Sequence, residues 1–479
     1  MTIPRRRLIL LVALTGAAGA QSACGGGDQP SGAAPLPPPP APPPSAPAPA
    51  PAPAPPSGPV AFPLRVESGK RYLVDANGQA FLINGDTPWM IVNQCTDTQI
   101  DTYLNDRQAR GFNAILFEAP GANFTTQTPR YLNVNGQAPF ATTSYSAASF
   151  QSLNDAYWQR VDHLVNGAKA RGIVCLFMPN YLGFGGGSGS SGDQGWDYQV
   201  NAASDANLQA YGVALALRYN QGNVIWIAGG DYNPRNIAKG WNIINGIRSV
   251  NPNAIVSFHG ARTSSGYSQA AGQPGFNLNN TYTDGTEYGY CNTEYGRPGA
   301  MPFFHIEGYY EGDGGLTATG YRRQAYATIL SGGCGHVFGH NELWGFGGYG
   351  SAGNAAGALA NYLNTTGTND MTRFRNLFAA YAWHRLEPKT DTSLVTTSQG
   401  SGAGRIIGAR ASDASFAMIW TPGGGFTVNM SALGNSAVRA RWYSPVDGSW
   451  ATVSGSPFAN AGTRAFSPPG ERVLVLDAG

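Results

Sequence analysis

Two rhythms of apolar and polar residues run along this chain, and the change from one to the other divides it. From Phe62 to residue 387, short unbroken apolar runs alternate with longer segments whose apolar residues recur at helical spacing. The runs Phe81–Asn84, Phe112–Phe117, Ile173–Met178, Val224–Ala228, Ala254–Phe258, Phe303–Ile306 and Gly335–Phe338 are expected to be strands. Most lack polar alternation, as expected of parallel strands buried on both faces. Helices are predicted between them, among them Thr98–Arg110 and Asp155–Arg171. In the second, Trp158, Val161, Val165 and Ala168 fall on one face. Gly111 and Gly172 follow directly, so each helix ends on a basic residue and a C′ glycine. An eighth strand, sixth in order, is placed near Phe276–Tyr282, where apolar residues are sparse. Eight βα units in roughly 300 residues predict an α/β chain with a (β/α)8 TIM barrel; a doubly wound open sheet is the alternative.

Before the barrel, Tyr72–Val74 and Phe81–Ile83 flank Asn77-Gly78, a strong hairpin signal. After Leu386-Glu387-Pro388 the rhythm shortens to alternating strands: Arg405–Gly408, Ser415–Trp420, Phe426–Asn429, Arg439–Tyr443 and Arg472–Leu476. These predict a small C-terminal β-sandwich over 388–479. Its apolar positions, Phe416, Met418, Trp420, Trp442, Val473 and Val475, are expected to fill its own core, and the short connection favours fixed packing on the barrel.

The N-terminal residues follow neither rhythm. Arg5, Arg6 and Arg7 precede an uncharged run from Leu8 to Ala20, too short to span a bilayer and the right length for a secretory signal. Small residues and Cys24 follow, which resembles a bacterial lipoprotein signal with Cys24 acylated; simple cleavage after Ala20 is the alternative. Of residues 28–59, 16 are proline, which suits an extended polyproline spacer and no core. The expected division is a signal at 1–24, a linker at 25–61, a barrel at 62–387 and the sandwich at 388–479. An exported cell-envelope lipoprotein follows from this reading, with the lipid as its sole membrane contact.

Charge narrows the partners. Only 12% of residues are charged and the formal net charge is +2, with no basic block after the first residues, which argues against nucleic acid. The 23 tyrosines and 10 tryptophans suit neutral, hydroxyl-rich ligands. Cys95, Cys175, Cys291 and Cys334 show no CxxC spacing, so a zinc ribbon is not expected. Cys175 reads as a buried thiol, while a disulfide from Cys95 to Cys291 or Cys334 stays open. No cofactor is expected, and the chain reads as a monomer.

In a TIM barrel, chemistry sits at the C-terminal ends of the strands. The polar residues there are Asp86, Glu118, Asn180, Asp231, His259, Glu307 and His340, joined by Trp89, Tyr310 and Trp344. Asp231 and Glu307 stand out because each directly ends a long apolar strand, the fourth and the seventh. Two carboxylates facing across a barrel mouth can flank a glycosidic bond, one protonating the leaving oxygen and the other attacking or activating water. The alternative is structural: Asp231 capping the next helix and Glu307 pairing with an arginine such as Arg322. The other eight residues are candidate substrate contacts.

Several motifs recur in order: Gly85-Asp86-Thr87-Pro88-Trp89, Gly111-Phe112-Asn113, Asn223-Val224-Ile225-Trp226, Gly229-Gly230-Asp231, His305-Ile306-Glu307-Gly308-Tyr309-Tyr310-Glu311 and Gly335-His336-Val337-Phe338-Gly339-His340 with Trp344. Together they resemble the apiosidase-like family, grouped with glycoside hydrolase family 140. The C-terminal part resembles the β-sandwich that often follows it and is named for collagen binding. The resemblance implies a TIM barrel with an Asp and a Glu as catalytic pair, Asp231 as acid/base and Glu307 as nucleophile. Its characterised activity is removal of apiose from a pectic side chain. Gly308 stands where the family commonly has proline, and Gly230-Asp231 where the wider barrel clan carries Asn-Glu.

Other motifs carry less. His336 and His340 have metal-pair spacing but lie on a strand and loop, without HExxH. Gly185–Gly192 lacks the lysine of a phosphate loop and reads as a flap, and no GxSxG elbow is present. Trp89, Trp196 and Trp344 are candidates for sugar stacking or for core packing. The expected function is an exported glycoside hydrolase acting on a plant-type or other complex poly- or oligosaccharide. The alternative is a non-catalytic surface lipoprotein binding glycan or matrix.

Overall fold

The apolar runs pair edge to edge around a barrel. In this computed structural model, residues 60–478 are described, apart from 123, 142–149, 184–194, 235, 286 and 349–354. Cys24, the proline tract and the Gly185–Gly192 loop therefore lie outside the described residues. The barrel strands are β1 (Ile83–Asp86), β2 (Ala114–Glu118), β3 (Val174–Met178), β4 (Val224–Gly229), β5 (Val256–His259), β6 (Asn279–Tyr282), β7 (Phe303–Glu307) and β8 (Gly335–Phe338). Their order in the sheet is β5-β4-β3-β2-β1-β8-β7-β6, all neighbours parallel. A two-residue strand, Ser264–Ser265, runs antiparallel on β6. Phe81 pairs with Leu73 in the hairpin expected around Asn77-Gly78, a small antiparallel sheet whose turn holds Gly78 at φ 78°, and barrel strand β1 begins only at Ile83.

The weak sixth strand is present, and its composition explains the weak signal. Asn279, Asn280 and Thr281 are all buried, so the strand is polar inside the core. No regular ladder joins β5 to β6. Side chains bridge them: Asn280 Nδ2 donates to the Phe258 carbonyl (2.7 Å) and Ser257 Oγ (2.8 Å), and the Val256 N–H donates to Asn277 Oδ1 (2.8 Å). Buried amides with partners cost little, and here they close the barrel together with the Asn277 and Leu278 N–H groups, which both donate to the Val256 carbonyl (3.2 and 3.1 Å).

The helices outside follow local signals. Helix α1 (Asp97–Ala109) opens with a capping box, Thr96 and Gln99 bonding reciprocally to each other's backbone N–H. In α2 (Asp155–Ala170), Trp158, Val161, Val165 and Ala168 are fully buried. Of the described helices, none is long and apolar enough to cross a membrane. The four cysteines are buried free thiols, so no Cys95 disulfide forms and Cys175 packs in mid-strand as expected.

The C-terminal domain begins at β9 (Leu386–Pro388) and continues through β10 (Ile407–Ala411), β11 (Ala417–Thr421), β12 (Phe426–Asn429), β13 (Ala437–Tyr443), β14 (Trp450–Thr452), β15 (Phe458–Ala459), β16 (Thr463–Phe466) and β17 (Arg472–Ala478). One sheet runs β9-β10-β11-β17-β13-β14 with β15 on β13, and β12 pairs with β16 in a second. The expected filling of this sandwich needs correction. Phe416, Met418, Trp420, Val473 and Val475 pack into the barrel's hydrophobic cluster, while Ala417, Ile419, Leu474, Leu476 and Trp442 fill the sandwich core with Phe426, Val428 and Phe466. The large sheet is buried on both faces, so alternation alone could not say which apolar set faces which side.

Polar contacts fix the same seam. Helix α3 (Ala318–Leu330) carries Arg322, which bonds Glu471 of the sandwich (2.6 Å) and Asp370 (2.7 Å) of α4 (Thr366–Ala379), all three buried. Asp477 accepts from Tyr381 (3.0 Å) and Arg441 (2.8 Å).

Candidate active site

Strand register brings the rim residues to one level. Asp86 pairs with Phe338, Glu118 with Met178, His259 with Gly229 and Glu307 with Tyr282. All are last positions of parallel strands, so they ring one mouth.

Beyond β4 the chain must turn sharply to deliver Asp231. Gly229 and Gly230 have φ 90° and 131°, and a Cβ at either would strike backbone, the His259 carbonyl oxygen at 2.4 Å or the Leu182 nitrogen at 2.8 Å. Asp231 itself sits at φ 43°, where Asp and Asn are the side-chain-bearing residues best tolerated. Its Oδ2 is 3.4 Å from the Tyr181 hydroxyl, and its Oδ1 is buried without a partner among the described residues. Burial and then the nearby Glu307 charge push its pKa up to about 6. It is poised to hold a proton.

Glu307 is held from two sides. Tyr310 donates to Oε1 at 2.6 Å and itself accepts from Trp89 Nε1 at 2.7 Å. Burial, reinforced by Glu307, keeps the Tyr310 hydroxyl protonated far above its ordinary range. His259 Nε2 lies 2.8 Å from Oε2, while its Nδ1 accepts the Asp231 backbone N–H at 3.0 Å. That second bond assigns the tautomer: Nδ1 offers its lone pair, so Nε2 carries the proton toward Glu307. Burial disfavours a charged ring, yet the Glu307 bond and charge outweigh it and raise the His259 pKa. A proton on Nδ1 would face the Asp231 N–H, so charging the ring requires that peptide to move.

One oxygen each of Asp231 and Glu307 and a nitrogen of His259 lie within 4.8 Å of one another. Such a trio has metal-ligand chemistry, but the His259 lone pair is committed to the Asp231 N–H and its proton to Glu307. Both nitrogens of His259 are thus engaged, leaving the ring no free donor for an ion. His336 and His340 do not converge: His336 Nδ1 lies 3.1 Å from His305 Nδ1 with the rings stacked, and His340 Nδ1 accepts the Glu342 N–H.

Aromatic rings wall the pair. Trp344, partly exposed, meets Phe124 edge-on at 5.5 Å; Phe124 meets Tyr181, Tyr181 meets Trp89, and Trp89 meets His259. The structure thus gathers Asp231, Glu307, His259, Trp89 and Tyr310, with Trp344 at the end of the wall. Asp86 is engaged elsewhere, in a buried ion pair with Arg107 (2.5 Å) and a bond from Tyr103 (2.6 Å). Asn180 turns toward Gly240, its Nδ2 3.5 Å from where a Cβ there would sit. Glu118 is buried with Oε2 unpartnered, and burial raises its pKa well above the carboxylate range. His340 lies 4.0 Å from Glu311 and 5.5 Å from Tyr362. Trp196 is core, its indole bonded to the Pro120 carbonyl at 3.0 Å. Neither structural alternative for the carboxylates is seen, since Arg322 serves Glu471 and Asp370, and Asn236 is the N-cap of Ile237–Val250. Sequence reasoning missed Tyr181 and also Tyr282, whose ring lies tilted against His259 at 5.1 Å. Tyr181 follows Asn180 directly, and Tyr282 ends the one strand whose apolar signal was weak.

A near-closed parallel barrel with paired carboxyls at its mouth is the architecture of a glycoside-hydrolase-like TIM barrel. The chain belongs to the family described as "Apiosidase-like, catalytic domain", whose family model matches residues 67–385. Residues 390–477 match the family described as "Putative collagen-binding domain of a collagenase". Among solved structures, a glycoside hydrolase family 5 protein from Bacteroides vulgatus superposes with a TM-score of 0.73 at 20% identity, over 87% of this chain and 93% of that one. A second structure, of a glycoside hydrolase, gives 0.73 at 21% identity over 87% of this chain and 97% of that one. At such identities the likeness concerns the fold. A comparison with curated proteins gives no match.

Gly308, where the family commonly has proline, has a local reason. A Cβ there would meet Gln324 Oε1 at 2.3 Å, and Gln324 also bonds the Tyr309 N–H and carbonyl.

Proposed function

We propose that this protein is an exported, retaining glycoside hydrolase of complex plant-type poly- or oligosaccharides. The carrying observation is the approach of Asp231 and Glu307 oxygens to within 4.8 Å, beside the roughly 5–5.5 Å carboxyl separation of retaining enzymes and short of the larger gap that admits a water in inverting ones. A Glu307 oxygen attacks the anomeric carbon as the glycosidic bond breaks, and the departing oxygen takes the Asp231 proton. The Asp231 carboxylate then removes a proton from water, whose oxygen displaces Glu307 and regenerates both groups. Tyr310 and His259 hold Glu307 in line, and the aromatic wall faces the sugar. Apiose linked to a pectic side chain is the first substrate to assay, given the family's name. The chain is directed outward by residues 1–24 and held by a lipid on Cys24, so Cys24→Ala moves it from the membrane to the soluble fraction; unchanged fractionation refutes the anchor.

The test is turnover by Asp231→Asn and Glu307→Gln. General acid–base work contributes about 10²–10⁴-fold and loss of the nucleophile more. Both variants should fold and be inactive on a substrate the natural chain cleaves, and near-normal turnover by either sinks the assignment. The alkaline limb of kcat/KM should fall near the Asp231 pKa of about 6.

A further inference from the structure

The carboxylates occupy the C-terminal mouth of the barrel; a second cavity opens at the other end. It has a volume of about 420 Å³, enough for one or two sugar units by comparison with ordinary ligand pockets. Gly332 and Gly333, which line it, lie just before β8, and Tyr72 immediately precedes Leu73 of the small sheet before β1. In a parallel barrel both positions mark the N-terminal face, away from Asp231 and Glu307.

Its walls combine rings with uncompensated positive charge. Tyr72 and Trp383 meet at 6.0 Å and 69°, presenting two ring planes at an angle, and Tyr295 forms a third wall. The Tyr295 ring lies hard against Gly332, where a Cβ would meet it at 2.1 Å. No side chain at 332 can fill the space.

The Arg71 guanidinium is stacked on Tyr295, 4.3 Å from its centroid. It makes no hydrogen bond or ion pair with any described residue; Nη1 is closed off from solvent, so a carboxylate would be met by the other guanidinium nitrogens. Lys70 stands 5.7 Å over Tyr72, likewise without an ion pair among the described residues. The anions of the rim are already taken, Glu387 by Lys389 at 3.1 Å and Asp413 by Arg385. A stacked guanidinium without an acceptor presents a planar fork for a carboxylate, and ring faces beside it suit the C–H face of a sugar.

We infer that this basal cavity is a second carbohydrate site, selective for sugars that carry a carboxylate. It does not rest on the catalytic reading, since none of its residues belongs to the mouth. A uronate residue would set its carboxylate on Arg71, with Lys70 adding long-range attraction, and lay its ring against Tyr72 or Trp383. A bare anion would use the charge and leave the rings idle, while a neutral sugar would do the reverse.

The experiment is calorimetric titration of the full chain carrying Glu307→Gln, so that nothing is turned over. The probes are a tri-uronate, the neutral trisaccharide of the same sugar configuration, acetate and inorganic phosphate. The tri-uronate should bind most tightly, and Arg71→Gln should weaken it at least about tenfold, the loss of one charge-assisted bond. Arg71 makes no internal hydrogen bond, so this variant should lose no more than its stack on Tyr295, a small drop in the melting temperature, which is recorded alongside. Tyr72→Ala should also weaken the tri-uronate without affecting acetate. The inference is overturned if the tri-uronate does not bind, if Arg71→Gln leaves its affinity unchanged, or if the neutral sugar, acetate or phosphate binds as well as it does.

Discussion

Asp231 combines two features that work against folding: a left-handed backbone at φ 43° and a carboxyl whose pKa is raised from 3.8 to about 6, by burial first and Glu307 second. Between those values the folded protein holds a proton that the unfolded chain releases, so stability falls as pH rises through the window. A shift of about two units corresponds to roughly 3 kcal/mol at most. Asp231→Asn removes that cost and keeps a side chain suited to this backbone. It should raise the melting temperature at pH 7.5 and leave it nearly unchanged at pH 3.5, while turnover is lost. An equal shift at both pH values, or destabilisation at pH 7.5, would contradict this account. Asp231 and Glu307 were legible in the sequence because each directly ends an apolar strand. Asp86 carried a similar signal, but its commitment to Arg107 is a tertiary contact that no local pattern reports. Tyr310 and His259 could be listed as polar neighbours; their grip on Glu307 could not be read without coordinates.

Individual strands show the same division between local pattern and tertiary context. The strands read from continuous apolar runs recur in the structure within a few residues. Strand β6 gave little signal because its work is done by buried asparagines, whose partners on β5 lie about 20 residues away in sequence. In the sandwich the strands were visible and Trp442 faces the sandwich core as expected, but Phe416, Met418, Trp420, Val473 and Val475 face the barrel, since both faces of the large sheet are covered. The end of β4 is the element on which the site most depends. Gly229 at φ 90° would bring a Cβ to 2.4 Å from the His259 carbonyl oxygen. Gly229→Ala should therefore cost about 2–4 kcal/mol, as strained or overpacked positions do, and displace Asp231 enough to abolish turnover. Gly314→Ala, where a Cβ meets nothing within 4 Å, is the control and should stay within about 0.5 kcal/mol. If the two variants melt alike, the steric account of the Gly-Gly-Asp turn is wrong.

On the scale of the whole molecule, barrel and sandwich share one hydrophobic cluster and the buried trio Arg322, Glu471 and Asp370. Calorimetry should show a single unfolding transition. Glu471→Gln, which leaves Arg322 only one anion, should lower its midpoint by an amount equivalent to about 1–3 kcal/mol, without splitting it. Two separate transitions, with only the sandwich affected, would mean that the seam does not couple the domains. The position of β17 has a consequence for how the protein is made. Residues 472–478 lie between β11 and β13 in the sheet, so the ribosome has assembled the whole barrel before the strand that unites its companion exists. Until then β11 and β13 each present an open edge, and Phe416, Met418 and Trp420 lack the neighbours Val473 and Val475 that share their face. From the emergence of β11 until residues 472–478 are made, the nascent chain must be kept from associating with itself through these edges. Pairing of residues 472–478 closes both edges at once and commits the sheet to its final form.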